Sequence, residues 1–119
     1  MRNLAFVSMA GALALGALII RPAQARAQGA ALDFKIYCSR CHGENGKGDG
    51  ADAGTLKTPP RNFTDCAVMS KISDATMFKA IKDGGASVGL PNDMPAWSAG
   101  LDDDEIHGLI TYIRGFCKK

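Results

Sequence analysis

The chain has 119 residues, with 14 lysines and arginines against 12 aspartates and glutamates, and 46% of its residues are hydrophobic. No basic stripe stands out, which excludes a nucleic-acid binder that works through phosphate neutralisation. The length allows one small domain with a thin core.

Met1-Arg2-Asn3 opens the chain with one positive charge, and Leu4 to Ile20 is apolar or small throughout except for Ser8. Ala23-Gln24-Ala25 and Ala25-Arg26-Ala27 both carry the small-x-small pattern that signal peptidase cuts after. The apolar stretch falls short of the ~20 residues that span a bilayer. A Sec-type signal peptide over 1–27, cut after residue 25 or 27, is therefore expected, with an exported domain over 28–119. Retained, the same segment would act as a membrane anchor. Loss of Arg2, Arg21 and Arg26 turns the net charge of +2 into −1 for residues 28–119, because all 12 acidic residues remain.

Residues 28–32 read as a short lead-in. A first helix is predicted from about Asp33 to Ser39, with Phe34 and Tyr37 on one face. It runs into Cys38-Ser39-Arg40-Cys41-His42. Two thiols at this spacing, followed at once by a histidine, form the attachment pattern for c-type haem. The sulfurs can add across the two vinyl groups of one porphyrin, and His42 then offers its imidazole to the iron. A zinc module would use Cys38 and Cys41 with Cys66 and Cys117 as further ligands, but it leaves His42 unexplained.

The stretch from Gly43 to Gly54 is predicted to be loop, since its glycines and Asp/Asn residues disfavour helix. Thr58-Pro59-Pro60-Arg61-Asn62 reads as stiff and extended. A short helix is expected near Thr64–Met69. The next is capped by Ser73 or Asp74, carries Met77, Phe78 and Ile81 as its apolar stripe, and stops at Gly84-Gly85.

Leu90-Pro91-Asn92-Asp93-Met94-Pro95-Ala96-Trp97 is a loop whose two prolines restrict the chain around Met94. In the last helix, Asp102 and Glu105 suit a capping box, and Ile106, Leu109, Ile110 and Ile113 follow at helical spacing. Phe116 and Cys117 continue the stripe. With no alternating strand pattern, the class is all-α: a small fold wrapped around one haem.

The methionines Met69, Met77 and Met94 and the histidine His107 are the available distal ligands. Met77 belongs to an apolar helix face and is expected in the core. His107 falls beside Arg114 on the flank of the last helix, at about 100° per residue, and is expected near the surface. On chemistry alone Met69 stays open beside Met94.

The run from Cys38 to Gly50, the Met94-Pro95-Ala96-Trp97 segment and the terminal helix resemble the bacterial class I cytochromes c over nearly all of residues 28–119. That resemblance implies haem c, held through Cys38 and Cys41, with His42 and Met94 as the axial metal ligands. It also implies a carbonyl of Pro59 or Pro60 as the acceptor for the second nitrogen of His42. Arg61 and Trp97 become candidate donors to the haem propionates. The function it implies is one-electron transfer in the periplasm, by a monomer that is not an enzyme. Its partners would be redox proteins (an oxidase, a reductase or a dehydrogenase), met through Lys47, Lys57, Lys71, Lys79 or Lys82. A subunit dedicated to one periplasmic enzyme is the nearest alternative. A ligand-binding haem sensor or enzyme would need a displaceable distal ligand.

Cys66 and Cys117 are left over once the haem thioethers are formed, and an oxidising compartment favours their pairing as a disulfide. The resemblance does not require this pair.

Overall fold

A computed structural model describes residues 22–118, with side chains described from Ala25 onward. Of the leader expected over 1–27, residues 1–21 lie outside these residues, and 22–27 belong to the first helix. Among the described residues none forms a strand, and no helix is long and apolar enough to cross a membrane. The α-helical segments are α1 (Pro22–Asp33), α2 (Ser39–His42), α3 (Cys66–Met69), α4 (Asp74–Asp83) and α5 (Asp103–Gly115).

The first helix begins earlier than the sequence suggested. Residues 28–32 are helical, and a π-helical turn, Phe34–Cys38, carries α1 directly into α2. Alanine-rich sequence tolerates the single Gly29, and packing against α5 does the rest. Ala30 is only 5% exposed. A Cβ placed on Gly108 of α5 would lie 3.6 Å from the Ala30 methyl, an ordinary contact distance, so the two helices pack closely at this point.

The π turn closes through the Ser39 amide, which donates to the Phe34 carbonyl. Such a turn advances the helix by an extra residue and changes the face that later side chains present. Phe34 enters the core, with Tyr112 and Phe116 each 5.3 Å away and Phe63 at 6.2 Å between ring centroids. Tyr37 instead packs on Trp97 at 5.2 Å.

The later helices follow their punctuation. The Ser73 hydroxyl accepts from the Thr76 amide at 3.1 Å and is the cap of α4. Asp102 and Glu105 form the reciprocal capping box of α5, both bonds at 2.8 Å. Ile106, Leu109, Ile110 and Ile113 are all buried, with Met77, Ile81, Leu101 and Phe116 completing the core.

Candidate haem site

The helical turn bearing Cys38, Cys41 and His42 ends in the glycine loop, and the loop satisfies the turn's orphan carbonyls one by one. The Gly43 amide donates to Ser39, Asp52 to Arg40, Gly50 to Cys41 and Gly48 to His42, at 2.8, 2.9, 3.1 and 2.8 Å. All four carbonyls of α2 are therefore paired. Two of the glycines are required by this packing. A Cβ on Gly50 would collide with the carbonyls of Arg40 and Ser39. Gly48 has φ +78°, and its Cβ would lie 2.5 Å from the Pro60 carbonyl. Arg40 adds a forked pair to Asp52, with Nε 2.8 Å from one carboxylate oxygen.

The same loop fixes what faces His42. Phe63 donates its amide to Gly46 at 2.7 Å, and His42 Nδ1 lies 3.0 Å from the carbonyl oxygen of Arg61. The acceptor is thus Arg61, not Pro59 or Pro60. The Pro60 carbonyl is instead directed over Gly48. A carbonyl can only accept, so Nδ1 carries the proton and Nε2 keeps its lone pair. Burial holds the His42 pKa below its ordinary value, outweighing the bond to Arg61, so the ring is neutral. Phe63 stacks on the imidazole at 4.3 Å.

Cys38 and Cys41 are free, partly buried thiols. Burial, reinforced by Asp33 and by Cys41, pushes the Cys38 thiol up to about 12. Burial and then Asp52 raise Cys41, so both are S–H groups at neutral pH. Two neutral thiols and a neutral imidazole with a free nitrogen, on one turn beside apolar side chains, fit covalent haem chemically. Among the described residues no group of three or more His, Cys, Asp or Glu side chains is placed to hold a metal ion. The set of ligands for a zinc module is therefore not assembled there.

On the methionine side, Gly84-Gly85 both stops α4 and seats the loop. Gly85 donates to the Met94 carbonyl at 2.9 Å, while Trp97 and Ser98 donate to the terminal carbonyls of Ile81 and Lys82. The Thr58 amide donates to the Asp93 carboxylate at 3.2 Å, tying the methionine loop to the segment before Arg61. Met94, Trp97, Tyr37 and Cys38 are all partly buried against one core. Met69 is 2% exposed and enclosed by protein, and Met77 is buried as expected. His107 is exposed and stacks on Phe78 at 4.8 Å.

Of the lysines considered for docking, Lys47, Lys57 and Lys71 are exposed. Lys79 pairs with Asp83 at 3.0 Å and Lys82 with Asp103 at 2.7 Å, so both are locally engaged. One structural residue escaped the sequence reading. Arg114 reaches from α5 to the carbonyls of Met69 and Ile72, at 2.6 and 2.5 Å, and to Asp74.

An all-helical domain with this attachment turn is a class I c-type cytochrome. The family described as "Cytochrome C oxidase, cbb3-type, subunit III" matches residues 24–113, and the chain belongs to it. It is 34% identical over 80 residues to the cbb3-type cytochrome c oxidase subunit FixP of Azorhizobium caulinodans, covering 67% of this chain and 24% of that protein. It is 36% identical over 76 residues to the CcoP subunit of Azospirillum brasilense, covering 64% of this chain and 23% of that protein. The chain thus spans about a quarter of the length of these relatives. Among solved structures it is similar to the KustC0563 c-type cytochrome, with TM-score 0.58 and 26% identity over 73% of this chain and 95% of that one. It is also similar to a chain of the Kuenenia stuttgartiensis reducing HAO-like protein complex Kustc0457/Kustc0458. There the TM-score is 0.63 and the identity 25%, over 84% of this chain and 47% of that one. Membership of the family implies haem c and electron transfer.

Proposed function

We propose that this chain is an extracytoplasmic one-electron carrier with a single haem c, bound through thioethers to Cys38 and Cys41, with His42 and Met94 as axial ligands. The observation that carries the reading is the His42–Arg61 bond, which leaves Nε2 unprotonated on the turn that holds both thiols. Met94 is favoured over Met69 on burial. A thioether that meets a macrocycle must present its sulfur to a face not already filled by protein, and Met69 has none. The Gly85 and Thr58 bonds hold the Met94 loop in place, which lowers the entropy of keeping a weak ligand bound.

Haem supplies the Fe(III)/Fe(II) couple. His42 and Met94 would hold the iron and leave no site on it open to substrates, and Tyr37 and Trp97, packed on each other at 5.2 Å, would add apolar surface to the same core. A thioether ligand and an apolar surround both raise the potential. Lys47, Lys57 and Lys71 are free to steer an acidic partner. Leu32 and Ile36, 57% and 55% exposed on the helix leading into the attachment turn, offer apolar contact to it. Because the FixP and CcoP relatives are oxidase subunits, a terminal oxidase is the first partner to test, as free carrier or as dedicated subunit.

The test adds carbon monoxide to the purified ferrous holo-protein near neutral pH. The carrier reading expects no change in the visible spectrum and expects single-electron oxidation by an electron acceptor. Ready carbon monoxide binding by the unaltered protein would favour a sensor or enzyme with a displaceable ligand.

A further inference from the structure

Cys66 and Cys117 lie 51 positions apart in the chain and meet in the fold. Cys66 Sγ is 3.4 Å from the Cys117 carbonyl oxygen. Cys117 Sγ is 3.2 Å from the carbonyl of Phe63, three residues before Cys66. Cys66 opens α3 at the surface, and Cys117 sits half-buried in the turn that ends α5. Neither thiol has a place in the haem site.

We propose that Cys66 and Cys117 form a disulfide clasp that locks the C-terminal turn onto the proximal wall of the haem site. The wall in question is Phe63. Its ring stacks on His42 at 4.3 Å and lies 6.4 Å from Phe116, the immediate neighbour of Cys117. A bond between residues 66 and 117 covalently closes the segment that contains α3, α4, the Met94 loop and α5. The clasp rests on the haem reading in one respect: Cys38 and Cys41, consumed as thioethers, cannot compete for these two thiols.

The oxidant is a protein disulfide of the dithiol–disulfide oxidoreductase class, acting outside the cytoplasm. Exposed Cys66, as thiolate, attacks one sulfur of that disulfide, and the oxidant's other sulfur leaves as a thiolate. Cys117 then attacks the Cys66 sulfur and expels the oxidant's first sulfur. One disulfide forms here, one is reduced to a dithiol there, and the two protons from Cys66 and Cys117 end on the oxidant. The order of attack suits the thiols. Cys66 is exposed and Cys117 half-buried, so an incoming protein disulfide reaches Cys66 first.

The experiment uses holo-protein from the extracytoplasmic fraction, denatured without reductant in the presence of iodoacetamide, then digested and weighed. The expected result is a peptide pair joined through Cys66 and Cys117, neither alkylated, beside a haem-bearing peptide containing Cys38 and Cys41. Alkylated Cys66 and Cys117 would overturn the clasp. A missing haem on Cys38–Cys41 would sink the haem reading instead, and the two failures are seen on different peptides. A thiol reductant added to intact holo-protein should lower its melting temperature by on the order of ten degrees while the haem spectrum persists. An unchanged melting temperature would also count against the clasp.

Discussion

His42 Nδ1 lies 3.0 Å from the main-chain carbonyl of Arg61, and this pairing decides which imidazole nitrogen is left for a metal. The acceptor is backbone, so the Arg61 side chain, which is exposed, has no part in it. Replacing Arg61 by Ala should leave the visible spectrum unchanged, because the carbonyl facing His42 is kept. Phe63→Ala is the contrasting case. It removes a ring that is 8% exposed and stacks on His42, and should destabilise the fold by about 3–5 kcal/mol. Spectra and denaturant melts of both variants would check this. A changed visible spectrum in Arg61→Ala would place its guanidinium, and not its carbonyl, in control of the His42 ring.

Two methionines separate ligation from packing. Met94→Ala should keep haem attached, bind carbon monoxide in the ferrous state and lower the potential, because a water or an empty position replaces a thioether. Met69→Ala should do none of these, yet cost about 2–5 kcal/mol of stability, since its side chain is 2% exposed in the core. Carbon monoxide binding by Met69→Ala together with inertness of Met94→Ala would reverse the assignment.

Local signals announced much of this architecture. Ser73, Asp102 and Glu105 cap their helices because short-range hydrogen bonds need only neighbours in sequence. The apolar stripe of α5 was legible for the same reason, as periodicity survives without knowledge of partners. Tertiary registers were hidden. Whether Pro60 or Arg61 faces His42 depends on Phe63 being anchored to Gly46 and on Gly48 passing under the Pro60 carbonyl, contacts set by distant segments. The helix through residues 28–32 was hidden too, since its stability comes from Ala30 packing on α5 near Gly108. Arg114 read as a flank residue because nothing in its neighbourhood names the carbonyls of Met69 and Ile72.

The glycine loop yields a paired prediction. Gly50→Ala should sharply reduce the yield of holo-protein, because the added methyl meets the carbonyls of Ser39 and Arg40 and the Gly50 bond to Cys41 is lost. Gly54→Ala, whose Cβ meets nothing within 4 Å, should express and load haem normally. Haem-stained yields of the two variants decide it, and equal yields would show that the attachment turn does not depend on its loop cap.

Arg114 supplies the last contrast. Its guanidinium serves the main-chain carbonyls of Met69, which ends α3, and of Ile72 just beyond it, and one carboxylate that opens α4, so it joins three helices through one side chain. The ion pair itself contributes little, because the Asp74 side chain is 69% exposed. The carbonyls matter more, since losing a donor leaves partly buried acceptors unpaired at about 1–3 kcal/mol each. Arg114→Ala should therefore cost about 3 kcal/mol, and Asp74→Asn less than about 1 kcal/mol. Raising the salt concentration should barely change the difference, because screening acts on exposed charges. Chemical denaturation of the two holo-variants measures both losses. Equal losses, or an Arg114→Ala effect that vanishes in high salt, would assign the stabilisation to the surface ion pair and remove the carbonyl clamp from the account.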